Sequence, residues 1–461
     1  MKAFYGKDCF LHTESAVRLY EKAKDYPIFD YHCHLSPKQI AEDAVFENIG
    51  VLWLGGDHYK WRLMRADGIE ERLITGDASW RDKFLAFASV VPKMAGNPIY
   101  HWLHMELKAY FGIAKPLNSR TAPEIWEETL KQMSDGSFSA RKLILRSNVE
   151  TIFTTDDPCD DLAYHKQIKE EGFAVRVLPT FRPDILVAGL LRPDFTVSIE
   201  RLGKAAGTAI RSFEDLLPAF ESRLDYFAAA GCRASDLSLG SLPAENASKK
   251  EAKAAFEAVL SGKPVSSREA EGYTDYMLRH FAGLLDRRDM VMQLHLAAMR
   301  NNNTALFNLC GPDCGNDSVG EPVSVPALRR VLDEMNLAGS LPKMIVYTLN
   351  ANSTYEIATM LGNFQGKSEG RLILGAAWWF CDHRDGITEQ LKASASTGLL
   401  GSFTGMLTDS RSFTAYPRHD YFRRILCDIV GKWVEDGEYD PSAADDLIAD
   451  VCIRNARKYF Q

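Results

Sequence analysis

The feature that most constrains the fold is a repeated alternation of short apolar runs with segments of helical periodicity. Two clear helical segments are 212–231 and 327–339. Strands that alternate with helices indicate parallel pairing, and eight such strands predict a closed (β/α)8 barrel, the TIM barrel, of the α/β class. The eight runs, rich in β-branched or apolar residues, are 27–35, 149–158, 173–184, 236–242, 289–296, 342–350, 371–380 and 398–409.

Two long connections account for much of the chain's 461 residues. Residues 36–148, between the first and second runs, are rich in tryptophan and in helical pattern, and residues 243–288 also have a helical pattern. Both follow the carboxyl end of a predicted strand, the edge at which barrel loops build active sites. We therefore predict one barrel over residues 1–461, with 36–148 as a mainly helical insertion over its mouth and 243–288 as a second helical insertion.

Charge and composition exclude several classes of protein. The net charge is -8, and no basic block is present, so nucleic acid is not expected as a partner. The charged N-terminus lacks the apolar core of a signal peptide, and no apolar run approaches the roughly 18 residues of a membrane span. The nine cysteines are scattered along the chain, as is typical of reduced thiols. We expect a cytoplasmic protein without membrane contact.

Polar residues stand at or near the ends of most of the predicted strands. A plain barrel core would show valine, isoleucine and leucine there. Because the carboxyl ends of barrel strands meet at one face, these side chains should converge on a single pocket. In strand order they are His32 and His34, Asp156 and Asp157, Arg182 and Asp184, Asp236 (at the start of the fourth strand), His295 and Arg300, Trp378 and Trp379, and Asp409 and Arg411.

His32 and His34 form a His-x-His pair at the end of the first predicted strand. Residues i and i+2 of a strand point to the same face, so the two imidazoles would aim at one place. Neutral imidazole suits Zn²⁺ and related divalent metals, and Asp409 would add a charged ligand. By itself such a pair is more often two polar residues of a surface loop, but the strand context and His295 on the fifth strand favour a metal site.

The His-x-His pair and the late aspartate resemble the amidohydrolase superfamily of metal-dependent barrels. Within it, nine stretches between residues 29 and 413 resemble the uronate isomerase (glucuronate isomerase) family, whereas 190–290 shows little similarity beyond GCRASDLSLG. The nine are FDYHCHLSP, DHYKWRLMR, TTDDP, VLPTFRPD, MQLHLAAMRNNNT, LPKMIVYTLN, GNFQG, GAAWWFCDHRDG and MLTDSRSF. The resemblance implies hexuronate catabolism, with D-glucuronate isomerised to D-fructuronate and D-galacturonate to D-tagaturonate through an enediol.

The metal stoichiometry follows from ligands that the sequence lacks. Binuclear hydrolases of the superfamily usually have a carbamylated lysine on strand 4 and a histidine on strand 6. Here DLSLGSL has no lysine and PKMIVYTLN has no histidine. We therefore predict one divalent metal, Zn²⁺ or alternatively Mn²⁺. A mononuclear hydrolase or deaminase and a non-catalytic sugar-acid-binding barrel stay open as alternatives.

Three arginines, Arg182, Arg300 and Arg411, face the predicted pocket. The guanidinium fork matches a carboxylate in a bidentate manner, so they would bind a hexuronate, although singly each would more often be a solvated or ion-paired residue. The hexuronate is the predicted partner; the long insertions could also form contacts in a homo-oligomer. The other predicted roles are Asp409 as base or proton carrier, Tyr59 as proton relay, His295 as ligand or hydrogen-bond partner, Asp236 as a hydroxyl-positioning group, and Trp378 or Trp379 as packing for the sugar ring.

Overall fold

The computed structural model of the chain describes residues 3–366 and 370–461. Its fold is mixed α/β with parallel sheets: one sheet has the strand order β1-β2-β3, a second has the order β4-β5-β8-β9, and β6 pairs with β7 in an antiparallel ribbon. The strands are β1 (Ile28–Asp30), β2 (Val149–Phe153), β3 (Arg176–Leu178), β4 (Ala234–Leu239), β5 (Val291–Leu296), β6 (Ala298–Met299), β7 (Ser318–Val319), β8 (Met344–Thr348) and β9 (Leu372–Leu374).

Helices separate the parallel strands along the chain. The α-helices are α1 (Glu14–Ala23), α2 (Pro37–Ala41), α3 (Ile49–Leu54), α4 (His58–Ala66), α5 (Trp80–Val90), α6 (Pro98–Phe111), α7 (Ala122–Met133), α8 (Ala140–Arg146), α9 (Ala163–Glu170), α10 (Asp184–Ala188), α11 (Phe195–Ala206), α12 (Phe213–Ala229), α13 (Lys249–Leu260), α14 (Ser267–Asp286), α15 (Thr304–Cys310), α16 (Val325–Leu337), α17 (Thr354–Leu361), α18 (Arg384–Thr397), α19 (Pro417–Glu435), α20 (Pro441–Ala449) and α21 (Asn455–Tyr459). Residues 36–148 contain α2 to α8, and residues 243–288 contain α13 and α14.

Seven of the eight predicted strands are confirmed as β1, β2, β3, β4, β5, β8 and β9, mostly with shorter bounds. Their apolar runs lack alternation because both faces are covered: every residue of β5 and of β8 is buried. The prediction of a regular strand over 398–409 is wrong. There the chain makes a 3-10 turn at Leu400–Ser402 and then continues without regular secondary structure to residue 410.

Backbone conformation explains why the last run does not form a strand. Gly405 and Asp409 both have positive φ, 78° and 46°, which interrupts an extended ladder. Position 405 requires glycine because the chain packs closely there: a β-carbon would collide with the carbonyl oxygen of Val451. The segment is nevertheless joined to the chain after β1: the Asp409 amide donates to the His32 carbonyl at 3.1 Å, and the His34 amide donates to the Ser410 carbonyl at 2.9 Å.

No helix within residues 3–366 and 370–461 combines the length and the apolar character that crossing a membrane requires.

Candidate active site

A cavity of about 150 Å³ is lined by residues at or near the carboxyl ends of the parallel strands. It is lined by all eleven side chains predicted for the site from the sequence, namely His32, His34, Tyr59, Arg182, Asp236, His295, Arg300, Trp378, Trp379, Asp409 and Arg411. Three further lining residues were not predicted: His58, Ser238 and Asp313. Residues separated by almost four hundred positions in the sequence therefore meet around one space.

His32, His34 and Asp409 surround a common point. The Nε2 atoms of His32 and His34 lie 3.2 and 3.1 Å from the same oxygen of Asp409, Oδ1. The second oxygen, Oδ2, accepts a hydrogen bond of 3.0 Å from Trp378 Nε1. One candidate ligand atom from each of the three residues lies within 4.8 Å of the others, so two imidazoles and a carboxylate fit a single divalent cation.

The electrostatics of this cluster favour a cation. Burial lowers the pKa of His34 to about 4, so its imidazole is neutral at neutral pH, the form that binds metal. Burial opposes ionisation of Asp409, but hydrogen bonds from His32 and His34 hold its pKa well below the ordinary value. Burial also opposes a charge on His32, yet Asp236 and Asp409 raise its pKa above the ordinary value. The two carboxylates thus create a position that attracts positive charge.

Asp236 links a second pair of side chains beneath the cavity. Its Oδ1 lies 2.8 Å from His295 Nδ1, and its Oδ2 lies 3.1 Å from Arg182 Nη1. Burial would raise its pKa, but Arg182 and the neighbouring imidazoles hold it well below the usual range. His32, Asp236 and His295 could also group around an ion. The guanidinium of Arg182 is already against Asp236, however, and this positive charge disfavours a second cation there.

Neighbouring side chains hold His295 and Arg182 in place. The His295 ring stacks on Tyr347 with a centroid distance of 4.3 Å and meets the edge of Trp378 at 4.7 Å. Arg182 Nε donates to Asp184 at 3.0 Å, and the other oxygen of Asp184 accepts from the backbone amide of Ser238 at 2.9 Å. Arg182 is therefore held by two carboxylates, one on each side.

Helix α4 brings His58 and Tyr59 to the cavity from the region between β1 and β2. Asp57 caps this helix: its side chain accepts from the amides of Tyr59 and Lys60 at 3.0 and 3.2 Å. The ring of His58 stacks on that of Tyr59 at 4.9 Å and meets Trp379 edge-on at 5.3 Å. Burial raises the pKa of Tyr59 well above its ordinary value, so its hydroxyl is protonated at neutral pH.

The sequence held a usable signal for two of the three residues that were not predicted. His58 adjoins Tyr59 in the motif DHYKWR, just after a helix-capping aspartate. Ser238 is two residues after Asp236 on β4, so the two share a face. Asp313 lies in the turn GPDCG and had no such signal.

Three polar residues near strand ends, Asp156, Asp157 and Asp184, do not line the cavity, so the expectation that all of them converge is wrong for these three. Asp184 instead contacts Arg182 and the Ser238 amide. Asp157 is half-exposed and pairs with Arg201 at 3.1 Å. Asp156 is buried and turned into the core: its Oδ2 accepts from Thr154 Oγ1 at 2.8 Å and from the Thr180 amide at 3.0 Å. Hydrogen bonds from the segments that directly follow β2 and β3 satisfy Asp156 without a ligand.

Asp156 should make stability depend on pH. Burial raises its pKa to about 7 in the folded chain from the ordinary value of 3.8. The protonated form stabilises the fold fully below pH 3.8, and this contribution is lost as pH rises through 7. Asp156→Asn keeps an acceptor oxygen without the ionisation. We expect its free energy of unfolding, relative to the parent, to rise by roughly 1–2 kcal/mol between pH 5.5 and pH 8.

Urea unfolding of both proteins across that pH range tests this expectation. Asp157→Asn is the matched control, since Asp157 is the half-exposed neighbour of Asp156. A pH-independent difference between Asp156→Asn and the parent would show that Asp156 is ionised throughout.

Fold and site together define an α/β enzyme whose two imidazoles and one carboxylate form a metal-ligand cluster near the ends of parallel strands. A family model described as glucuronate isomerase matches residues 1–460. The chain is 48% identical, over the full length of both chains, to a uronate isomerase of Caldanaerobacter subterraneus subsp. tengcongensis.

The crystal structure of a uronate isomerase from Thermotoga maritima matches with a TM-score of 0.95 at 34% identity, covering 100% of both chains. The crystal structure of a glucuronate isomerase from Caulobacter crescentus matches with a TM-score of 0.92 at 27% identity, covering 99% of this chain and 96% of that one. The chain belongs to the glucuronate isomerase family and is an isomerase.

Proposed function

We propose that this chain interconverts D-glucuronate with D-fructuronate and D-galacturonate with D-tagaturonate, in hexuronate catabolism. The observation that carries the proposal is an ionised, largely enclosed carboxylate, Asp409, held by two imidazoles in a cavity that three arginines also line. Such a cavity offers a base for the sugar and cations for its carboxylate. Membership of the glucuronate isomerase family supports the same reaction.

The proposed reaction transfers one proton between carbons and one between oxygens. Asp409 takes the proton from C2 of the aldose, an enediol forms, and a proton that has exchanged with solvent is delivered to C1. The proton of the C2 hydroxyl passes to the oxygen at C1, with the protonated hydroxyl of Tyr59 as relay. A divalent cation on His32, His34 and Asp409 would polarise the carbonyl or hydroxyl oxygen of the sugar when bound.

The other lining residues bind and orient the sugar in this proposal. Arg300 and Arg411 take the substrate carboxylate, because a guanidinium fork matches it in geometry and charge. Asp236, with His295 and Arg182 against it, positions sugar hydroxyl groups. Trp378 orients Asp409 through its indole hydrogen bond, and Trp379 packs as a wall beside Arg300, whose guanidinium lies 5.4 Å from its ring.

We also propose that the seven parallel strands, with the irregular segment that ends at Asp409 in the eighth position, close into a barrel of the (β/α)8 type, with residues 36–148 as a wall over its mouth. Parallel bridges join Asp156 to Phe181 and Phe181 to Ser235, which links the two parallel sheets. The backbone hydrogen bonds between residues 32–34 and 409–410 support closure on the other side. Within the wall, α4 contributes His58 and Tyr59 to the cavity.

A reducing compartment, the cytoplasm, is the proposed location. No disulfide links the nine cysteines, all of which lie in the described ranges.

The experiment is to incubate purified, metal-loaded protein with D-glucuronate, and separately with D-galacturonate, and to follow ketose formation. We expect turnover of at least one hexuronate. A folded, metal-loaded protein that converts no hexuronate would contradict the proposal. Release of ammonia or an acid from an amide, ester or aminated ring would identify the hydrolase or deaminase alternative.

Metal content gives a separate prediction. We expect one Zn²⁺, or one Mn²⁺, per chain, and we expect His34→Asn to lose it because one of the three ligands is removed. Elemental analysis after dialysis measures the ratio. His12→Asn is the control, since His12 is an exposed histidine paired with Asp428. Equal metal content in His34→Asn and the parent would rule out this ligand set.

A further inference from the structure

Asp313 contacts two of the arginines that line the cavity. Its Oδ2 lies 2.9 Å from Arg411 Nη2, and its Oδ1 lies 3.7 Å from Arg300 Nη1. Within residues 3–366 and 370–461, the acidic groups within 4.0 Å of these two guanidinium groups are Asp313 and Asp317, the latter 3.6 Å from Arg300. A carboxylate of the chain itself therefore lies at the position where two cations converge.

The loop that carries Asp313 is fastened to helix α4. Arg62 Nη1 donates to the carbonyl oxygen of Asp317 at 2.6 Å, and the side chain of Asp317 accepts from the Asn301 amide at 2.7 Å. A β-carbon at Gly315, whose φ is 92°, would lie 2.8 Å from the carbonyl oxygen of His58. The loop therefore approaches the helix closely, and this contact directs Asp313 toward the arginines.

Asp313 itself is less restrained than its loop. Its side chain is 48% exposed, whereas that of Asp317 is 1% exposed. The cavity measures about 150 Å³, which is small beside the roughly 300–1,000 Å³ of most ligand pockets. An exposed carboxylate at the edge of a small cavity can turn away and leave both arginines to another anion.

We propose that Asp313 is an internal counter-anion that occupies the position of the substrate carboxylate and is displaced when a hexuronate binds. This inference rests on the proposed function, in which Arg300 and Arg411 take that carboxylate. An anion must then compete with Asp313 for the two arginines. A hexuronate compensates through contacts to its hydroxyl groups, whereas a small anion cannot. Asp313 thereby makes the site selective for sugar acids over inorganic anions.

Asp313→Asn tests the inference with little change in shape. The φ of Asp313 is 54°, in the left-handed region that asparagine tolerates well, so the backbone should be retained. The probe is L-gulonate, the sugar acid formed when the aldehyde of D-glucuronate is reduced, because it carries the carboxylate but cannot isomerise. We expect calorimetry to show L-gulonate binding about five- to tenfold tighter in the variant, as expected on removal of a competing charge.

Two further probes separate competition for the two arginines from a general effect of the substitution on ligand binding. Inorganic phosphate should gain affinity by a similar or larger factor, whereas D-glucitol, which has no carboxylate, should bind the variant and the parent equally. Asp157→Asn is the matched control, because it removes an aspartate paired with an arginine, Arg201, away from the cavity.

Unchanged or weaker binding of L-gulonate to Asp313→Asn would overturn the inference and would instead make Asp313 a group that positions the arginines. This outcome is distinct from failure of the proposed function, which is measured on the parent protein as absence of hexuronate turnover. A parent protein that isomerises hexuronates, with a variant that gains no affinity, rejects the role of Asp313 alone.

Discussion

Asp409→Asn is expected to lower kcat for D-glucuronate by about 10³-fold, the range lost when a general base is removed. Asparagine cannot accept the proton from C2, yet it is close in size, and the positive φ at this position, 46°, suits it. The substitution also removes the anionic oxygen that lies 3.1–3.2 Å from His32 and His34. We therefore expect weaker metal binding as well, and steady-state kinetics with metal analysis would separate the two effects.

Saturating metal distinguishes a lost base from a lost ligand. If Asp409→Asn stays inactive with one metal bound per chain, the base is missing; if activity returns, the carboxylate acts only as a ligand. Asp436→Asn, at an exposed aspartate that pairs with Lys432 at 3.6 Å, is the control and should keep the parental kcat. Parental activity of Asp409→Asn without added metal would contradict both roles.

Asp236→Asn is expected to lower the free energy of unfolding by about 3 kcal/mol, because it removes the buried carboxylate of an ion pair and leaves the guanidinium of Arg182 charged. Asp236 is 1% exposed and contacts both His295 and Arg182. After the substitution, Asp184 is the one acidic residue of the described ranges left within 4.0 Å of the Arg182 guanidinium. Urea unfolding at constant metal concentration measures the loss.

A double-mutant cycle with Arg182→Met tests why Asp236→Asn lowers the free energy of unfolding. If the cost comes from an uncompensated guanidinium, Asp236→Asn should cost much less in the Arg182→Met background than alone. Additive losses would show that Asp236 stabilises the fold through other contacts. Arg201→Met with Asp157→Asn provides the exposed comparison, for which a coupling of about 1 kcal/mol or less is expected.

The strands were largely predictable because burial on both faces leaves continuous apolar runs, as in β5 and β8. The prediction of a strand over the last run, 398–409, was wrong for a reason that local sequence does not reveal. Gly405 is constrained by the Val451 carbonyl, and the Asp409 amide bonds to the His32 carbonyl. These partners are distant in sequence, so an apolar run followed by an aspartate looked like a strand although its backbone is interrupted.

The site was predictable where a polar residue stands at a strand end and has a recognisable chemical role. His32 and His34 are of this kind, and Asp409 ends the apolar run 398–409, which has the same sequence pattern although it forms no strand. Asp156 has the same sequence pattern but is satisfied by Thr154 and the Thr180 amide, a difference that depends on a neighbouring strand. Pattern at a strand end therefore identifies candidates, and hydrogen bonding across strands decides which of them face the cavity.

Asp313 illustrates what the sequence could not reveal. It lies in a turn without periodicity, and its direction depends on the contact between its loop and helix α4, more than two hundred residues earlier in the chain. The arginines Arg300 and Arg411 were expected to bind an anion, and the structure adds an aspartate of the chain itself against them.

The most direct measurement is NMR of the reaction in D₂O. In the proposed mechanism the hydrogen leaves C2 as a proton and a proton that has exchanged with solvent is delivered to C1. D-fructuronate formed from D-glucuronate should therefore carry solvent deuterium at C1. A ketose that retains the original C2 hydrogen at C1 with no deuterium would favour direct hydride migration and contradict the role given to Asp409.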